Sequence, residues 1–446
     1  MTSSNERLTK ANEPSLRALE MHRRYHGKMQ TMPKCPIDSD DDFAVWYTPG
    51  VAEPCRAIAA TPSLVADFTN RQNTVAILSD GSRVLGLGNI GAKAGLPVME
   101  GKALLFKFLG GVDAVPLCLA SQVPEDIVQV ARLIEPTFGG LNLEDIAQPK
   151  CFRVLDRLTA LLSIPVWHDD QQGTATAAFA GLLNALKVVN KSIGNVRIVL
   201  FGVGAANVAV YRLLTSAGVE PGAVIACDSR GLLHDRRSDI DDNQDKFREK
   251  WQICTESNAD GLTGEAAGAF VDADVCIAFS QSGPSVIRPE WITAMARDPI
   301  VFACANPVPE IWPWEAEQAG ATIVATGRGD FANQLNNALV FPGLFRGVLD
   351  VQANAIPPAV TSAAAQAMAA YAERRGLSKT CILPTIGDRD WPPELAAAVG
   401  VAAQDQAIAA TTFDHATLRD HAAAVIEKAQ ADTRLLGAVT TPDAAS

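Results

Sequence analysis

Several things are scarce in this chain. No run of about 18 uninterrupted apolar residues occurs, so no segment reads as a membrane-spanning helix. Met1–Lys10 is polar and mixed, without the apolar stretch of a secretory signal. The nine cysteines contain no Cys-x-x-Cys pair, are odd in number, and sit in part inside apolar runs. That argues against a zinc or disulfide framework and favours a reducing, cytoplasmic compartment. Positive charge is also short: 38 Lys and Arg against 50 Asp and Glu give −12, with a pI near 5.1. Such a surface repels nucleic acid and anionic lipid, so neither is an expected partner. An anionic substrate must then be caught by a few local cations. No internal repeat of fixed period is found.

What is present is ordinary globular composition, 48% apolar and 20% charged. At 446 residues the chain is too long for one compact core and reads as two domains. Pro14 to Met29 reads as a basic helix with a solvated face. Short apolar runs predict strands at Val75–Ser79, Val112–Leu117 and Ile164–Trp167, with helices at Glu125–Ile134 and Phe152–Leu162. Gly173–Asn190 is a long apolar helix with Thr174 as its expected cap. Beyond it, the runs Val196–Phe201, Ala223–Cys227, Asp274–Ala278, Ile300–Ala303 and Thr322–Val324 alternate with helix-length segments. That alternation predicts a doubly wound parallel sheet. The tail from Ala359 is Ala-rich and helical, with Thr440–Ser446 expected to fray. The fold class is therefore α/β, an N-terminal α/β domain (1–172) followed by a Rossmann domain with C-terminal helices (173–446).

Two glycine patterns compete for a dinucleotide. Gly86-Leu87-Gly88-Asn89-Ile90-Gly91 matches G-x-G-x-x-G, but follows an Asp80-Gly81 hairpin signal, and Gly95 and Pro97 argue against a helix directly after it. Gly202-Val203-Gly204-Ala205-Ala206-Asn207 matches less well, yet stands between a strand and a helix. Its glycines permit a tight turn and close backbone approach, and the helix amino terminus offers N–H donors to a pyrophosphate. Asp228, at the tip of the next strand, is placed to hold ribose hydroxyls. Gly202, Gly204, Ala205, Ala206, Asn207 and Asp228 are thus the expected cofactor contacts, for NAD or NADP. Asp228 disfavours a 2′-phosphate, whereas Ser229, Arg230, Arg236 and Arg237 favour one, and the sequence leaves the choice open.

Glu144-Asp145 and Asp169-Asp170 each follow an apolar segment. Adjacent acids usually form a solvated turn, but Asp170 runs straight into Gln171-Gln172-Gly173-Thr174 and an apolar helix. Converging carboxylates with no His or Cys expected among the ligands suit a hard, oxygen-ligated ion such as Mg²⁺ or Mn²⁺. His168 beside them is read as a hydrogen-bonded structural residue.

Taken together, these segments resemble the malic enzyme family over most of the chain. Tyr47-Thr48-Pro49-Gly50-Val51-Ala52-Glu53-Pro54 looks like the family's tyrosine motif, and Asp80 to Gly91 like its arginine-bearing loop. Pro97-Val98-Met99-Glu100-Gly101-Lys102 resembles the lysine segment. Asn142-Leu143-Glu144-Asp145 and His168 to Thr174 resemble the two metal segments. Asn306-Pro307, and Asn336-Asn337 before Phe341-Pro342-Gly343, resemble later substrate and nicotinamide contacts. Asn207 departs from the family's usual Gly or Ala. The length resembles the short bacterial form.

The resemblance implies oxidation of malate, decarboxylation, and protonation to pyruvate by a homodimer or higher homo-oligomer. It implies Lys102 as the base, which requires a lowered pKa, and Tyr47 as the acid that protonates the enol. Arg83, Asn306 and Asn337 would bind substrate, Asn306 also meeting the cofactor. Glu144, Asp145 and Asp170 would hold the metal, with Asp169 tuning Lys102. A metal-independent hydroxy-acid dehydrogenase and a non-redox malolactic enzyme are the alternatives.

Overall fold

The computed structural model describes Pro14 and residues 17–439. The first sheet is all parallel and contains β1 (Thr74–Ser79), β2 (Asp113–Cys118), β3 (Gly140–Leu143) and β4 (Val166–His168), in spatial order β2-β1-β3-β4. β1 and β3 are almost wholly buried, as strands covered on both faces must be. The second sheet contains β5 (Ile198–Phe201), β6 (Val224–Asp228), β7 (Gly231–Leu232), β8 (Val275–Ala278), β9 (Ile300–Ala303) and β10 (Ile323–Thr326). Its order is β10-β9-β8-β5-β6-β7, parallel except for the short edge strand β7. The chain leaves β5 toward β6 on one side and later returns to β8 on the other. The crevice of this doubly wound, Rossmann-like sheet therefore opens at the carboxyl end of β5.

Several expectations need correction. Asp80-Gly81 does not make a hairpin: β1 and β2 pair in parallel, joined by the helix Gly91–Gly110. That helix begins directly at the end of the Gly86–Gly91 pattern and contains Pro97. It survives because Met99, Ala103 and Phe106 are fully buried along one face. Burial of large apolar side chains at roughly 1.5–3 kcal/mol each outweighs about 3 kcal/mol for an interior proline. Thr174 caps nothing, because a π-helical turn, Asp169–Gly173, carries the helix Thr174–Val188 back to the end of β4. β3 was not expected, nor was β7. The basic helix is described at Pro14 and over 17–25 and stops at His26 and Gly27, both with positive φ; residues 15 and 16, and Thr440–Ser446, lie outside the described residues.

The C-terminal helices Phe341–Asp350, Pro358–Arg374, Trp391–Asp405 and His415–Val439 do not form a separate tail. They fold back onto the first sheet's long helix: Phe106 meets Phe341 and Phe345 at centroid distances of 4.5 and 5.2 Å, and Gln430 donates to the Phe108 carbonyl. No described helix is long and apolar enough to cross a membrane.

Candidate active site

The register of the first sheet assembles one corner of the site. Leu143 pairs with His168, so the residues that follow β3 and β4, Glu144-Asp145 and Asp169-Asp170, emerge side by side. Their carboxylates converge: oxygens of Glu144, Asp145 and Asp170 all lie within 4.8 Å of one another. Asp145 adopts φ 54°, a left-handed conformation that Asp tolerates better than most residues. Its N–H donates to Asp170 Oδ2 at 2.9 Å, which ties the two strand ends together. Asn142 Nδ2 donates to Glu144 Oε2 at 2.9 Å.

Lys102 reaches the cluster from the helix Gly91–Gly110. Its ammonium lies 2.6 Å from Asp169 Oδ2 and 2.9 Å from Glu144 Oε1, and only 8% of the side chain is exposed. Trp167 Nε1 donates to the other Asp169 oxygen at 3.0 Å. The ring of Phe341 covers the ammonium at 4.4 Å from its centroid, a cation–π contact from the far end of the sequence. Gly173 is required here, since a Cβ would sit 2.1 Å from Asp169 Oδ1.

The electrostatics of this corner favour a cation. Burial, reinforced by Asp170, pushes the Asp145 carboxyl up to about 8. Burial likewise raises Glu144, Asp169 and Asp170 despite the opposing pull of Lys102. For Lys102 the expected lowering does not occur. Burial alone draws it down, but Asp169 and Glu144 outweigh burial and hold the ammonium above its ordinary value. His168 also differs from expectation. Both ring nitrogens are buried without a hydrogen-bond partner, and burial depresses it to about 4, leaving the ring neutral. The nearest carboxylate oxygen to the ring in this corner, Asp170 Oδ2, lies 4.0 Å from His168 Nδ1, beyond hydrogen-bond reach.

Arg83 stands at the mouth of this corner. Its N–H donates to the Asp145 carbonyl at 3.0 Å, its side chain is exposed, and its charge lowers the Asp145 and Asp170 carboxyls. It makes no ion pair among the described residues. Asn337 is brought to the same corner, its Cβ facing Gly173. Asn336 instead uses its side chain to cap the following turn at Ala338 N–H. Asn306 sits in the loop after β9, whose backbone approaches Gly86. Tyr47 is not brought in: its side chain is 71% exposed and makes no hydrogen bond to Lys102 or the carboxylates.

The second sheet supplies the glycine turn. Gly202 has φ 87° and donates its N–H to the Cys227 carbonyl at 2.9 Å; a Cβ there would collide with Phe279 and Ser280. A Cβ on Gly204 would meet nothing within 4 Å, so open space faces the amino end of the helix Ala205–Ser216, where the first N–H groups of Ala205 and Ala206 lack intrahelical partners. Asn207 does not face that space. Its buried amide donates to the carbonyls of Phe201, Gly202 and Ile277 at 2.7–3.2 Å, pinning the turn between β5 and β8. Asp228 ends β6 as expected, but is already engaged by Arg237, Lys250 and the Arg230 N–H.

Sequence reasoning missed three contributors. Phe341 and Trp167 meet Lys102 and Asp169, and no local pattern announces either approach. Glu310, fully buried, accepts from Ser280 N–H and O–H and from Ala305 N–H at 2.8–3.0 Å. It ties the loop after β8 to the one carrying Asn306, and no local sequence pattern announces it.

A parallel α/β sheet ending in a carboxylate cluster, joined to a Rossmann-like sheet with a glycine turn, defines a dinucleotide-dependent enzyme in broad terms. Residues 26–159 match the malic enzyme N-terminal domain and residues 171–408 the malic enzyme NAD-binding domain. The chain is 44% identical over 401 residues to a bifunctional malic/malolactic enzyme of Bacillus subtilis, covering 89% of this chain and 95% of that one. It is 46% identical over 361 residues to an NAD-dependent malic enzyme of Geobacillus stearothermophilus, covering 81% and 73%. The crystal structure of Entamoeba histolytica malic enzyme superposes with a TM-score of 0.95 at 42% identity, over 100% of this chain and 93% of the other. This chain belongs to the malic enzyme family.

Proposed function

We propose that the chain oxidatively decarboxylates malate to pyruvate and CO₂ while reducing NAD(P)⁺, with residues 1–172 supplying the metal site and most of the substrate site and residues 173–446 the dinucleotide site together with Asn306 and Asn337. The observation that carries this reading is Lys102, a buried ammonium held at the edge of the Glu144, Asp145 and Asp170 cluster. Those three carboxylates suit a hard divalent cation, and Asp145 Oδ2 is buried without a hydrogen-bond partner, an oxygen that a cation would satisfy. The residues present therefore fit Mg²⁺ or Mn²⁺. When bound, such an ion supplies Lewis-acid polarisation at the substrate's C2 oxygen, and the dinucleotide supplies the hydride acceptor.

The chain's own residues do the rest. Arg83 grips a carboxylate of malate with its two-pronged guanidinium, and the amides of Asn306 and Asn337 orient the substrate beside it. Lys102, once its ammonium has given up a proton, takes the C2 hydroxyl proton as C2 is oxidised; Asp169 orients the lysine and sets its proton affinity. Loss of CO₂ leaves an enol, and Tyr47, which a single chain does not bring to this corner, delivers the proton to its terminal carbon from a second copy of the chain. The exposure of Tyr47, next to exposed Phe43, Val45 and Trp46, supports a homodimer or higher homo-oligomer in which this segment is covered. Nine free thiols, Cys151, Cys227, Cys254, Cys276 and Cys304 among them buried, support a cytoplasmic setting.

The deciding experiment follows NAD(P)H, pyruvate and lactate from malate, with Mn²⁺ and in excess chelator. Stoichiometric NAD(P)H and pyruvate, abolished by chelation, is the expected result. Full activity in chelator would return the chain to a metal-independent dehydrogenase. Lactate without reduced cofactor would make it malolactic, the second activity named for the Bacillus subtilis relative.

A further inference from the structure

The corner beyond Gly202 decides between the two nicotinamide dinucleotides. Asp228 closes β6 beside the glycine turn, where an acid in this fold ordinarily accepts the ribose hydroxyls of NAD. A carboxylate has about four lone-pair positions. At Asp228 all four are matched by donors of the chain itself. Oδ1 accepts from Arg230 N–H at 2.9 Å and Arg237 Nη1 at 3.2 Å; Oδ2 accepts from Arg237 Nη2 at 3.2 Å and Lys250 Nζ at 3.1 Å. Burial pushes this carboxyl up, but those contacts prevail and hold it below its ordinary value. A ribose diol would have to displace one of them.

The cations around it are not equivalent. Arg237, 9% exposed, uses every N–H it has, on Asp228, Asp239 and the Leu232 carbonyl, and so neutralises acids without reaching outward. Lys250 gives one N–H to Asp228 and keeps two more. Arg230, 70% exposed, meets Asp239 through one nitrogen only. Asp235 and Arg236, on the neighbouring loop, face each other at 3.7 Å and cancel. Asp228 and Asp239 thus stand against Arg230, Arg237 and Lys250, a surplus of one positive charge, with exposed Ser229 between them.

Resting on the dinucleotide reading above, we infer that this corner is built for a 2′-phosphate, so that the chain takes NADP⁺ in preference to NAD⁺, with Lys250 as the residue that reads the phosphate. A phosphate monoester carries about 1.5–2 negative charges near neutral pH and three strong acceptors, matching the donors left on Lys250 and Arg230. Asp228 then serves as the anchor that holds Lys250 and Arg237 in place. The sequence offered Ser229, Arg230, Arg236 and Arg237 as phosphate ligands; Lys250, on the helix Arg248–Glu256, reaches the corner only through the fold.

The test uses the full chain with malate and Mn²⁺. kcat/KM is measured for NADP⁺ and NAD⁺ in the wild type, Lys250→Met and Lys250→Arg, and binding of 2′,5′-ADP and 5′-AMP is measured by calorimetry. The expected result is a wild-type preference for NADP⁺ and tighter binding of 2′,5′-ADP. Lys250→Met lowers the NADP⁺/NAD⁺ ratio by about 10–100-fold, the worth of one charge-assisted contact, and Lys250→Arg restores most of it. A wild type that prefers NAD⁺, or a Lys250→Met variant that weakens both cofactors equally, overturns the inference while leaving the dinucleotide reading intact. Failure of both adenosine phosphates to bind, with neither cofactor reduced, would overturn the dinucleotide reading as well.

Discussion

Replacing Asp169 by Asn tests the chemistry at its centre. Asp169 is fully buried and has two committed oxygens, one 2.6 Å from Lys102 and one accepting from Trp167. Asn offers a single acceptor. Whichever way the amide turns, its NH₂ faces either the lysine ammonium or the indole N–H, so one donor loses its partner. The electrostatic effect has a definite sign. Burial lowers the proton affinity of Lys102, and Asp169 is the largest influence holding it up. Removing one opposite charge at this range moves a pKa by about 1–3 units, here downward. If neutral Lys102 is the base, kcat/KM rises with pH as the lysine deprotonates. In Asp169→Asn the midpoint of that rise moves to lower pH by about 1–3 units, while the plateau falls by about 10²–10⁴-fold because the base is no longer oriented. kcat/KM for malate, from initial rates of NAD(P)H formation with malate varied below and above its KM at saturating dinucleotide and metal, between about pH 5.5 and 10.5, reads the shift of the limb and the fall in rate. A limb that stays in place, or moves up, would refute Lys102 as the group whose deprotonation limits the reaction.

Arg83→Lys keeps the charge but loses the fork, so KM for malate rises by about 10–100-fold while the dinucleotide Kd is unchanged; an unaltered KM assigns Arg83 no part in substrate binding. Glu310→Gln opposes an NH₂ to Ser280 or Ala305 N–H and frees the loop carrying Asn306, so kcat/KM for malate falls by about tenfold or more. Initial rates equal to wild type, whatever the melting temperature does, would make Glu310 a strut only. Tyr47→Phe slows deuterium incorporation at the pyruvate methyl by about 10²–10⁴-fold with the single-turnover hydride step retained; equal damage to both steps would mean that Tyr47 and Lys102 act as one coupled pair.

Much of the fold was legible because parallel strands buried on both faces read as short apolar runs. Val196–Phe201 and Ile300–Ala303 gave the second sheet, and the acids stood where the strands ended. β3 escaped because Gly140-Leu141-Asn142-Leu143 alternates weakly and holds a buried Asn, whose partner, Glu144, is visible only in three dimensions. The continuation of the helix through Pro97 escaped because local propensity counts the lost hydrogen bond and not the buried face of Met99, Ala103 and Phe106. Asn207 looked like a defect in the glycine pattern, yet its amide NH₂ reaches three backbone carbonyls that a Gly or Ala could not. The proton affinity of Lys102 was misjudged for a different reason: a sequence shows neither that this lysine is buried nor which carboxylates it faces.

The return of the C-terminal helices to the first sheet bears on the order in which the molecule is made. Gln72 donates to the Leu349 carbonyl, Arg346 to Asn73, and Gln430 to the Phe108 carbonyl, across separations of 277, 273 and 322 residues. Phe341, which covers Lys102, belongs to the same returning segment. During synthesis at about 5–20 residues per second, the first sheet leaves the ribosome tens of seconds before these partners exist. Throughout that interval the face of the helix Gly91–Gly110 that holds Phe106 is without its aromatic cover, and Lys102 and its carboxylates stand open to water. A nascent chain arrested before residue 341 should therefore expose an apolar face to chaperones and hold no finished active corner. Lys102 is among the first residues of this corner to be translated and among the last to be enclosed.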